Sequence, residues 1–259
     1  MLDSHSSLGI AQIIFYVPVV PLAIFLMIRN GKVRPRMAWY PFIPFSLMRL
    51  AGGILTLVFE QKKDNTGVYI ATLIMLNVGV VPLIIANLGL TRIILMDNYS
   101  HNPASTKIAK LLRIAFIAAI ILFAAGGGVS SFNLSLSRIL TLVGYVVFAV
   151  VLVVLISMQV YFFGKRLSLT DSSRRILRAN LIASPFLILR TVYGILEVAE
   201  QDVLNTIWSP LFGSAVAFAL MALLPEYIAI CVWFYTGYTI PPRRELSEQT
   251  ASDGNKVTV

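Results

Sequence analysis

The chain has 259 residues, of which 58% are hydrophobic and only 13% are Asp, Glu, Lys or Arg. A soluble domain usually has about a quarter charged residues, and with a mean hydropathy of +0.82 this chain would expose more apolar surface to water than soluble proteins tolerate. The composition therefore excludes a soluble domain and predicts an integral membrane protein. The net charge of +9 does not indicate nucleic-acid binding, because the basic residues lie in short blocks between apolar segments.

Seven apolar segments are long enough, at about 20 residues each, to cross a bilayer as a helix. These segments are Leu8–Ile28, Met37–Phe59, Val68–Leu90, Leu111–Val129, Ile139–Phe163, Ala179–Val198 and Leu211–Tyr238. They are about twice as long as the strands of a membrane barrel and lack alternation. We therefore predict an all-α fold, a bundle of seven transmembrane helices over residues 1–238, followed by a disordered cytoplasmic tail over residues 239–259.

The distribution of lysine and arginine predicts the orientation, because cytoplasmic loops are enriched in these residues. Most of them lie in the loops after the first, third and fifth spans and in the C-terminal tail. The loops on the other side hold only Lys62, Lys63 and Arg138. This pattern predicts an N-terminus outside and a C-terminus in the cytoplasm. A sequon at Asn133 falls in a predicted outside loop, which makes Asn133 a candidate glycosylation site.

The second and sixth predicted spans have similar sequences. Residues Pro44–Leu55 and Pro185–Leu196 share Pro, Phe, Arg, Gly, Ile and Leu at a constant offset, and a Glu-Gln pair follows each. The similarity predicts a parallel internal repeat of three spans, one linking span and three spans, a kind of symmetry that transporters often have. Chance similarity among apolar residues is the alternative.

Three charged residues lie deep within predicted spans: Arg49 in the second, Arg190 in the sixth and Glu226 in the seventh. A charge at this depth costs at least about 2.5–3.5 kcal/mol on insertion scales, so such residues face the bundle interior or a wet cavity. We expect Glu226 to pair with one or both arginines, because an unpaired buried charge is far less favourable. The set either binds a ligand, a substrate or a proton, or only holds the bundle together.

Helical spacing extends this predicted site toward the outer surface. Two stripes each fall on one helical face and join a deep arginine to an outer acid. They are Arg190, Tyr193, Gly194 and Glu197 in the sixth span and Arg49, Gly52, Gly53, Thr56 and Glu60 in the second. Three amides, Asn77, Asn87 and Gln159, are also candidates for a polar interior, although interhelical hydrogen bonding is the plainer interpretation.

Three prolines, Pro82, Pro185 and Pro225, lie within predicted spans. We expect them to kink their helices and to free carbonyl groups toward a cavity. His5 and His101 are isolated in segments that we expect to be exposed. The sequence therefore predicts neither a metal site nor a cofactor.

The sequence from Arg190 to Glu197, Arg-Thr-Val-Tyr-Gly-Ile-Leu-Glu, together with the later pair Glu226-Tyr227, resembles the fungal lipid-translocating exporter family, the RTA-like seven-span proteins. That family typically shows Arg-x-x-Tyr-Arg-x-x-Glu and then a Glu followed by aromatic residues and an Asp. This chain has Gly194 in place of the second arginine and no acid after Glu226 within the seventh span. The resemblance implies export or flipping of lipids such as sphingoid bases.

In length, span number and placement of acids, the chain is also similar to the small seven-span terpene cyclases of fungal secondary metabolism. This second resemblance implies an enzyme in which a carboxylic acid protonates an epoxide, with Glu60 and Glu226 as the catalytic acids. A receptor-like sensor is a third alternative, which rests on topology alone.

We favour the lipid exporter or flippase among these alternatives. Its partner is then a membrane lipid or an isoprenoid-like amphiphile, whose cationic head the acids receive. The expected ligand-binding residues are Arg49, Asn77, Arg190, Tyr193, Glu197 and Glu226. The expected location is the plasma membrane or the endoplasmic reticulum, and the sequence specifies no oligomeric state.

Overall fold

The computed structural model describes residues 4–30, 38–62, 65–77, 79–99, 103–129, 132–200 and 206–241. All regular secondary structure in these ranges is helical. Within them, seven segments are long and apolar enough to cross a membrane. The predicted all-α fold with seven transmembrane helices is therefore confirmed. Nearly all of the predicted tail, from residue 242 onward, lies outside the described residues.

The helices are numbered in chain order. They are α1 (Ser4–Asn30), α2 (Phe42–Gln61), α3 (Thr66–Asn77), α4 (Val80–Asn98), α5 (Pro103–Val129), α6 (Leu134–Gly164), α7 (Asp171–Ala199), α8 (Ala215–Phe218) and α9 (Leu224–Thr239). A short 3₁₀ helix over Arg166–Ser168 precedes α7, and a π-helical turn over Ala219–Leu223 joins α8 to α9. The third span comprises α3 and α4, and the seventh comprises α8, the π-helical turn and α9.

Several helix boundaries differ from the predicted ones. The helix α1 begins at Ser4 rather than at Leu8, because helical hydrogen bonding continues into polar residues that an apolar window leaves out. The helix α2 begins at Phe42 rather than at Met37. Its start follows Pro41, which has no amide hydrogen to donate to an earlier helical turn.

The third span is not the continuous helix that the sequence predicted, since α3 ends at Asn77 and α4 begins at Val80. Pro82 lies in the first turn of α4, where a missing amide hydrogen is tolerated. Inside a continuous helix, its ring would clash with the carbonyl group four residues earlier. The expectation that Pro82 disturbs its span is confirmed, and the disturbance is a break rather than a kink.

The other two prolines behave differently. Pro185 lies inside α7, which continues from Asp171 to Ala199. Pro225 is in the first turn of α9, directly after the π-helical turn. Such turns occur frequently at functional sites in helices, and this one ends three residues before Glu226.

The bundle has two faces. At the N-terminal face, α1 begins and α7 ends, and the His5 ring nitrogen Nε2 lies 3.1 Å from the Gly213 carbonyl oxygen. At the C-terminal face, α1 and α9 end. There Arg29 donates a hydrogen bond of 2.7 Å to the Tyr238 carbonyl, and the Asn30 side chain donates one of 3.0 Å to the Gly237 carbonyl. These bonds satisfy carbonyl groups that the end of a helix leaves without partners.

A hydrogen-bonded network joins α4, α6, α7 and α9 in the half of the bundle nearer the C-terminal face. The Gln159 amide nitrogen donates to Asn87 Oδ1 over 2.6 Å and to Thr91 Oγ1 over 3.0 Å. The Asn180 side chain donates to Thr91 over 3.3 Å and accepts from the Trp233 indole over 3.0 Å. The expectation of interhelical hydrogen bonds from Asn87 and Gln159 is therefore confirmed.

Replacing Gln159 with leucine should destabilise the bundle by about 1–2 kcal/mol, because it removes hydrogen bonds between helices in an apolar setting. Thermal unfolding in detergent micelles, followed by circular dichroism, measures the change. Ser157→Ala on the same helix is the matched control, since Ser157 is exposed and donates to Val153 of its own helix. Equal melting temperatures for the two variants would contradict the stabilising role of the network.

Candidate functional site

Charged side chains from three spans converge on one carboxylate oxygen. Glu226 Oε1 accepts hydrogen bonds from Arg49 Nη2 and from Arg190 Nε, the latter over 2.6 Å. The Arg49 and Glu226 side chains are 0% exposed and that of Arg190 is 1% exposed. The predicted pairing of Glu226 with both arginines is confirmed. We call these three residues the arginine–glutamate cluster.

The arginine–glutamate cluster lies near the middle of the membrane. Arg190 is nine residues before the end of α7 and Arg49 is twelve residues before the end of α2. At about 1.5 Å per residue, these positions are about 14 Å and about 18 Å from the helix ends at the N-terminal face. The hydrocarbon core of a bilayer is about 30 Å thick, so both arginines lie well inside their spans.

The cluster donates hydrogen bonds to the backbone at the break in the third span. Arg49 Nη1 and Arg190 Nη2 both donate to the Leu76 carbonyl, over 2.9 Å and 3.2 Å. The Tyr145 hydroxyl donates to the Asn77 carbonyl over 3.3 Å. These carbonyl groups have no helical partners because α3 ends here, and an unsatisfied backbone group in a bilayer costs several kcal/mol. The two guanidinium groups also lie at the C-terminal, negative end of the α3 dipole, where positive charge is favourable.

Two glycines make room for these contacts. A Cβ atom on Gly79 would lie 2.7 Å from Arg49 Nε, and a Cβ atom on Gly194 would lie 2.7 Å from the Tyr145 hydroxyl oxygen. Both distances are shorter than real Cβ contacts. The side chains of Arg49 and Tyr145 can therefore reach the break only because these two positions lack side chains.

A cavity of about 460 Å³ lies between the arginine–glutamate cluster and the N-terminal face. Its walls are formed by α3, the last turns of α5 and α7, the first turns of α6 and the segment that follows α7. Most of the lining is apolar or aromatic and includes Tyr69, Phe123 and Phe212. Among the described residues that line it, the charged ones are Glu197 and Glu200, and none is a lysine or arginine. The cavity is therefore acidic.

Glu197 is the buried acid of this cavity. Its side chain is held by Asn77, whose Nδ2 donates to Glu197 Oε1 over 2.6 Å. Glu197 is 8% exposed, and its other oxygen, Oε2, has no hydrogen-bond partner among the described residues. A buried carboxylate oxygen without a partner raises the free energy of the folded state. The arrangement therefore favours a ligand that donates a hydrogen bond or brings a positive charge.

The structure divides the predicted ligand-binding residues into two groups. Asn77 and Glu197 line the cavity. The arginine–glutamate cluster lies farther from the N-terminal face and does not line the cavity. Glu197 is seven residues after Arg190 on α7, which places it about 10 Å closer to the N-terminal face. Tyr193 belongs to neither group, because its hydroxyl donates to the Trp208 carbonyl over 2.8 Å and so anchors the segment that follows α7.

Glu60, the second acid of the cyclase interpretation, lies apart from Glu226. It is near the end of α2, eleven residues after Arg49, which corresponds to about 16 Å along the helix. It is not among the residues that line the cavity. The structure therefore does not bring the two proposed catalytic acids together.

Asn133, the candidate glycosylation site, precedes α6 and is exposed. Its Oδ1 accepts a hydrogen bond of 3.0 Å from the Leu136 amide. This contact makes Asn133 the N-cap of α6, and its glycosylation stays a prediction.

Sequence reasoning missed two residues that position the site. Gln12 in α1 donates to the backbone carbonyl of Arg49, and Tyr145 in α6 supports the break. Both are polar side chains within apolar spans, and polar groups at such positions face the bundle interior. That signal could have found them, as it found Gln159 and Asn77.

Replacing Glu226 with glutamine should destabilise the protein by about 3–5 kcal/mol, because two buried guanidinium groups lose their counter-ion. Glu60→Gln is the matched control, since Glu60 is at the end of α2 and only partly buried. Thermal unfolding of the two variants in lipid nanodiscs measures the difference. Similar melting temperatures for both variants would contradict the importance of the cluster for stability.

Comparison with known proteins places the chain in a family. Residues 2–243 match the family model described as Domain of unknown function (DUF7702). No curated protein and no solved structure matches the chain. The resemblances to lipid exporters and to terpene cyclases therefore stay predictions. Because the match covers more than nine-tenths of the sequence, the chain belongs to the family described as Domain of unknown function (DUF7702).

Proposed function

We propose that the protein binds a lipid-like amphiphile with a cationic head in the acidic cavity and moves it across or out of the membrane. The observation that carries this proposal is Glu197, a buried cavity acid with one oxygen that lacks a partner. An ammonium group has three donors and no acceptor. Its hydrogen bond to a carboxylate is charge-assisted, and such bonds are roughly twice as strong as neutral ones.

The composition of the cavity supports an amphiphile rather than a small hydrophilic cation. Its lining is mostly apolar and aromatic, with polar groups at Asn77 and Glu197. A cavity of about 460 Å³ is within the range of about 300–1,000 Å³ that is usual for small-molecule sites. The apolar wall would contact a hydrocarbon tail while Glu197 accepts hydrogen bonds from the head.

The arginine–glutamate cluster supports movement of the ligand rather than static binding. Discontinuous helices near the bilayer midplane, with polar groups gathered at the break, are typical of transporters. In this bundle the break follows Asn77, and Asn77 itself contacts Glu197. A shift of α3 against α4 would therefore move Asn77 and, with it, the Glu197 carboxylate that holds the head of the ligand.

The predicted orientation and the predicted repeat both fit this function. With the N-terminus outside, the cavity faces the outer leaflet and an exporter would release its ligand there. Within the repeat, Arg49 and Arg190 occupy equivalent positions, and both bind the Leu76 carbonyl and Glu226. Two similar segments thus contact the same break in the third span, an arrangement that suits the alternating access of transporters with internal repeats.

The geometry is less favourable for a terpene cyclase. Glu226 is completely buried, and its Oε1 already accepts hydrogen bonds from Arg49 and Arg190. It does not line the cavity in which a substrate would bind. A proton donor must come within hydrogen-bond distance of the atom that it protonates, so the position of Glu226 outside this cavity supports transport over cyclisation.

Replacing Glu197 with glutamine should weaken the binding of sphinganine, a long-chain amine, by at least about tenfold, because one charge-assisted hydrogen bond is lost. Binding is measured by tryptophan fluorescence on the purified protein in nanodiscs. Glu60→Gln is the control for a change of charge outside the cavity and should bind sphinganine as the wild type does.

A second control uses N-acetylsphinganine, which keeps the hydrocarbon tail but has no ammonium group. It should bind the wild type at least about tenfold more weakly than sphinganine does. Equal affinity of the two ligands for the wild type, or full sphinganine affinity in Glu197→Gln, would contradict the proposal. Conversion of an isoprenoid epoxide to a cyclic product by the purified protein would favour the cyclase instead.

A further inference from the structure

We infer that the cavity opens sideways into the membrane between α3 and α5, and that the hydrocarbon tail of the ligand lies in this opening while Glu197 holds its head. This inference rests on the proposed function and specifies the route and the class of the ligand. The ligand is an amphiphile already dissolved in the leaflet at the N-terminal face, and it does not need to pass through water.

The exposed residues of the cavity lining show where it opens. Glu200 and Phe212 are exposed at the N-terminal face of the bundle. Ile74, which is 40% exposed, and the exposed residues Ala124 and Gly128 lie within the transmembrane segments of α3 and α5. The exposed surface of these three residues faces the cavity, the membrane or both, and their position within the span is where a second opening toward lipid would lie.

The packing of the helices leaves this opening unfilled. The main contacts of α3 are with α2, and those of α5 are with α6, and residues of both α3 and α5 line the cavity. On the α5 side, a Cβ atom on Gly127 or on Gly128 would have no other atom of the described residues within 4 Å. Both glycines line the cavity. Their missing side chains leave a slot along the last turn of α5.

The depth and chemistry of the slot suit a hydrocarbon chain. Ala124 is five residues before the end of α5, which corresponds to about 8 Å below the N-terminal face. The cavity lining on α3 and α5 also includes Leu73, Ile74 and Phe123, which are all apolar. The polar groups that bind the head are inside the bundle and the apolar groups are at the membrane side. This polarity orients an amphiphile with its tail toward lipid.

The test replaces Gly127 with leucine, which places a side chain in the slot without a clash. The probes are sphinganine and butylamine, which share an amine but differ in the tail, and both are measured with the full chain in nanodiscs. Gly127→Leu should weaken sphinganine binding by at least about tenfold, as expected when a pocket loses room for part of an apolar ligand. It should leave butylamine binding unchanged, because the site around Glu197 is intact.

Gly164→Leu is the matched control, since a Cβ at Gly164 also meets no atom of the described ranges within 4 Å and Gly164 ends α6 at the C-terminal face. It should change neither affinity. Unchanged sphinganine binding in Gly127→Leu would overturn the sideways opening, and so would equal weakening of both amines. Failure of both amines to bind the wild type would instead overturn the proposed function, and the inference with it.

Discussion

Glu226 Oε1 accepts hydrogen bonds from Arg49 and Arg190, and both guanidinium groups also donate to the Leu76 carbonyl, where the third span is broken. Each of these groups alone would be unfavourable at the centre of a bilayer. Together they pair their charges and join α2, α3, α7 and α9, although among the described residues Glu226 Oε2, Arg49 Nε and Arg190 Nη1 have no hydrogen-bond partner. A buried ion pair is weak evidence for stability by itself. Here, however, apolar side chains could not replace the arginines, because the Leu76 carbonyl needs hydrogen-bond donors.

The same contacts separate two carboxylates that have different surroundings. Glu226 has both arginines and does not contact the cavity, whereas Glu197 lines the cavity and is held through one oxygen by Asn77. Asn77 ends α3, so the residue that orients the cavity acid belongs to the break that the arginines stabilise. The cluster therefore stabilises the end of α3 that positions Asn77, and Glu197 is the carboxylate that lines the cavity where a ligand would bind.

Sequence alone predicted the parts of this arrangement that follow from the cost of burying polar groups in lipid. The span number followed from apolar length, and the pairing of Glu226 with Arg49 and Arg190 followed from the need of a buried charge for a partner. Helical periodicity also placed Arg190 and Glu197 on one buried face of α7, which the structure confirms. It could not show that Arg190 and Glu197 have different surroundings, because residues on one face can still be about 10 Å apart along the helix.

The break and the cavity could not be predicted in the same way. Pro82 indicated a disturbance, but the position of the break depends on donors from α2, α6 and α7 that reach the end of α3. The cavity depends on space between helices, and neither apolar length nor periodicity reports such space. Gly127 and Gly128 lie at the end of an apolar segment of the sequence, and such a segment does not report the space around its glycines.

The most direct test of this separation is the reactivity of single cysteines toward thiol reagents that cannot cross the membrane. The native Cys231 is exposed and is first replaced by serine. Thr141→Cys then places a thiol in the cavity wall, and Ala222→Cys places one in the buried interior, where Ala222 is 0% exposed. Cationic and anionic methanethiosulfonates are added from outside, and the labelling rates are compared.

The account predicts that Thr141→Cys reacts from outside, faster with the cationic reagent by on the order of tenfold because the cavity is acidic, and that sphinganine slows this reaction. It predicts no reaction at Ala222→Cys. Equal rates for the two reagents at Thr141→Cys would contradict an acidic cavity. Rapid labelling of Ala222→Cys would contradict a sealed interior around the arginine–glutamate cluster.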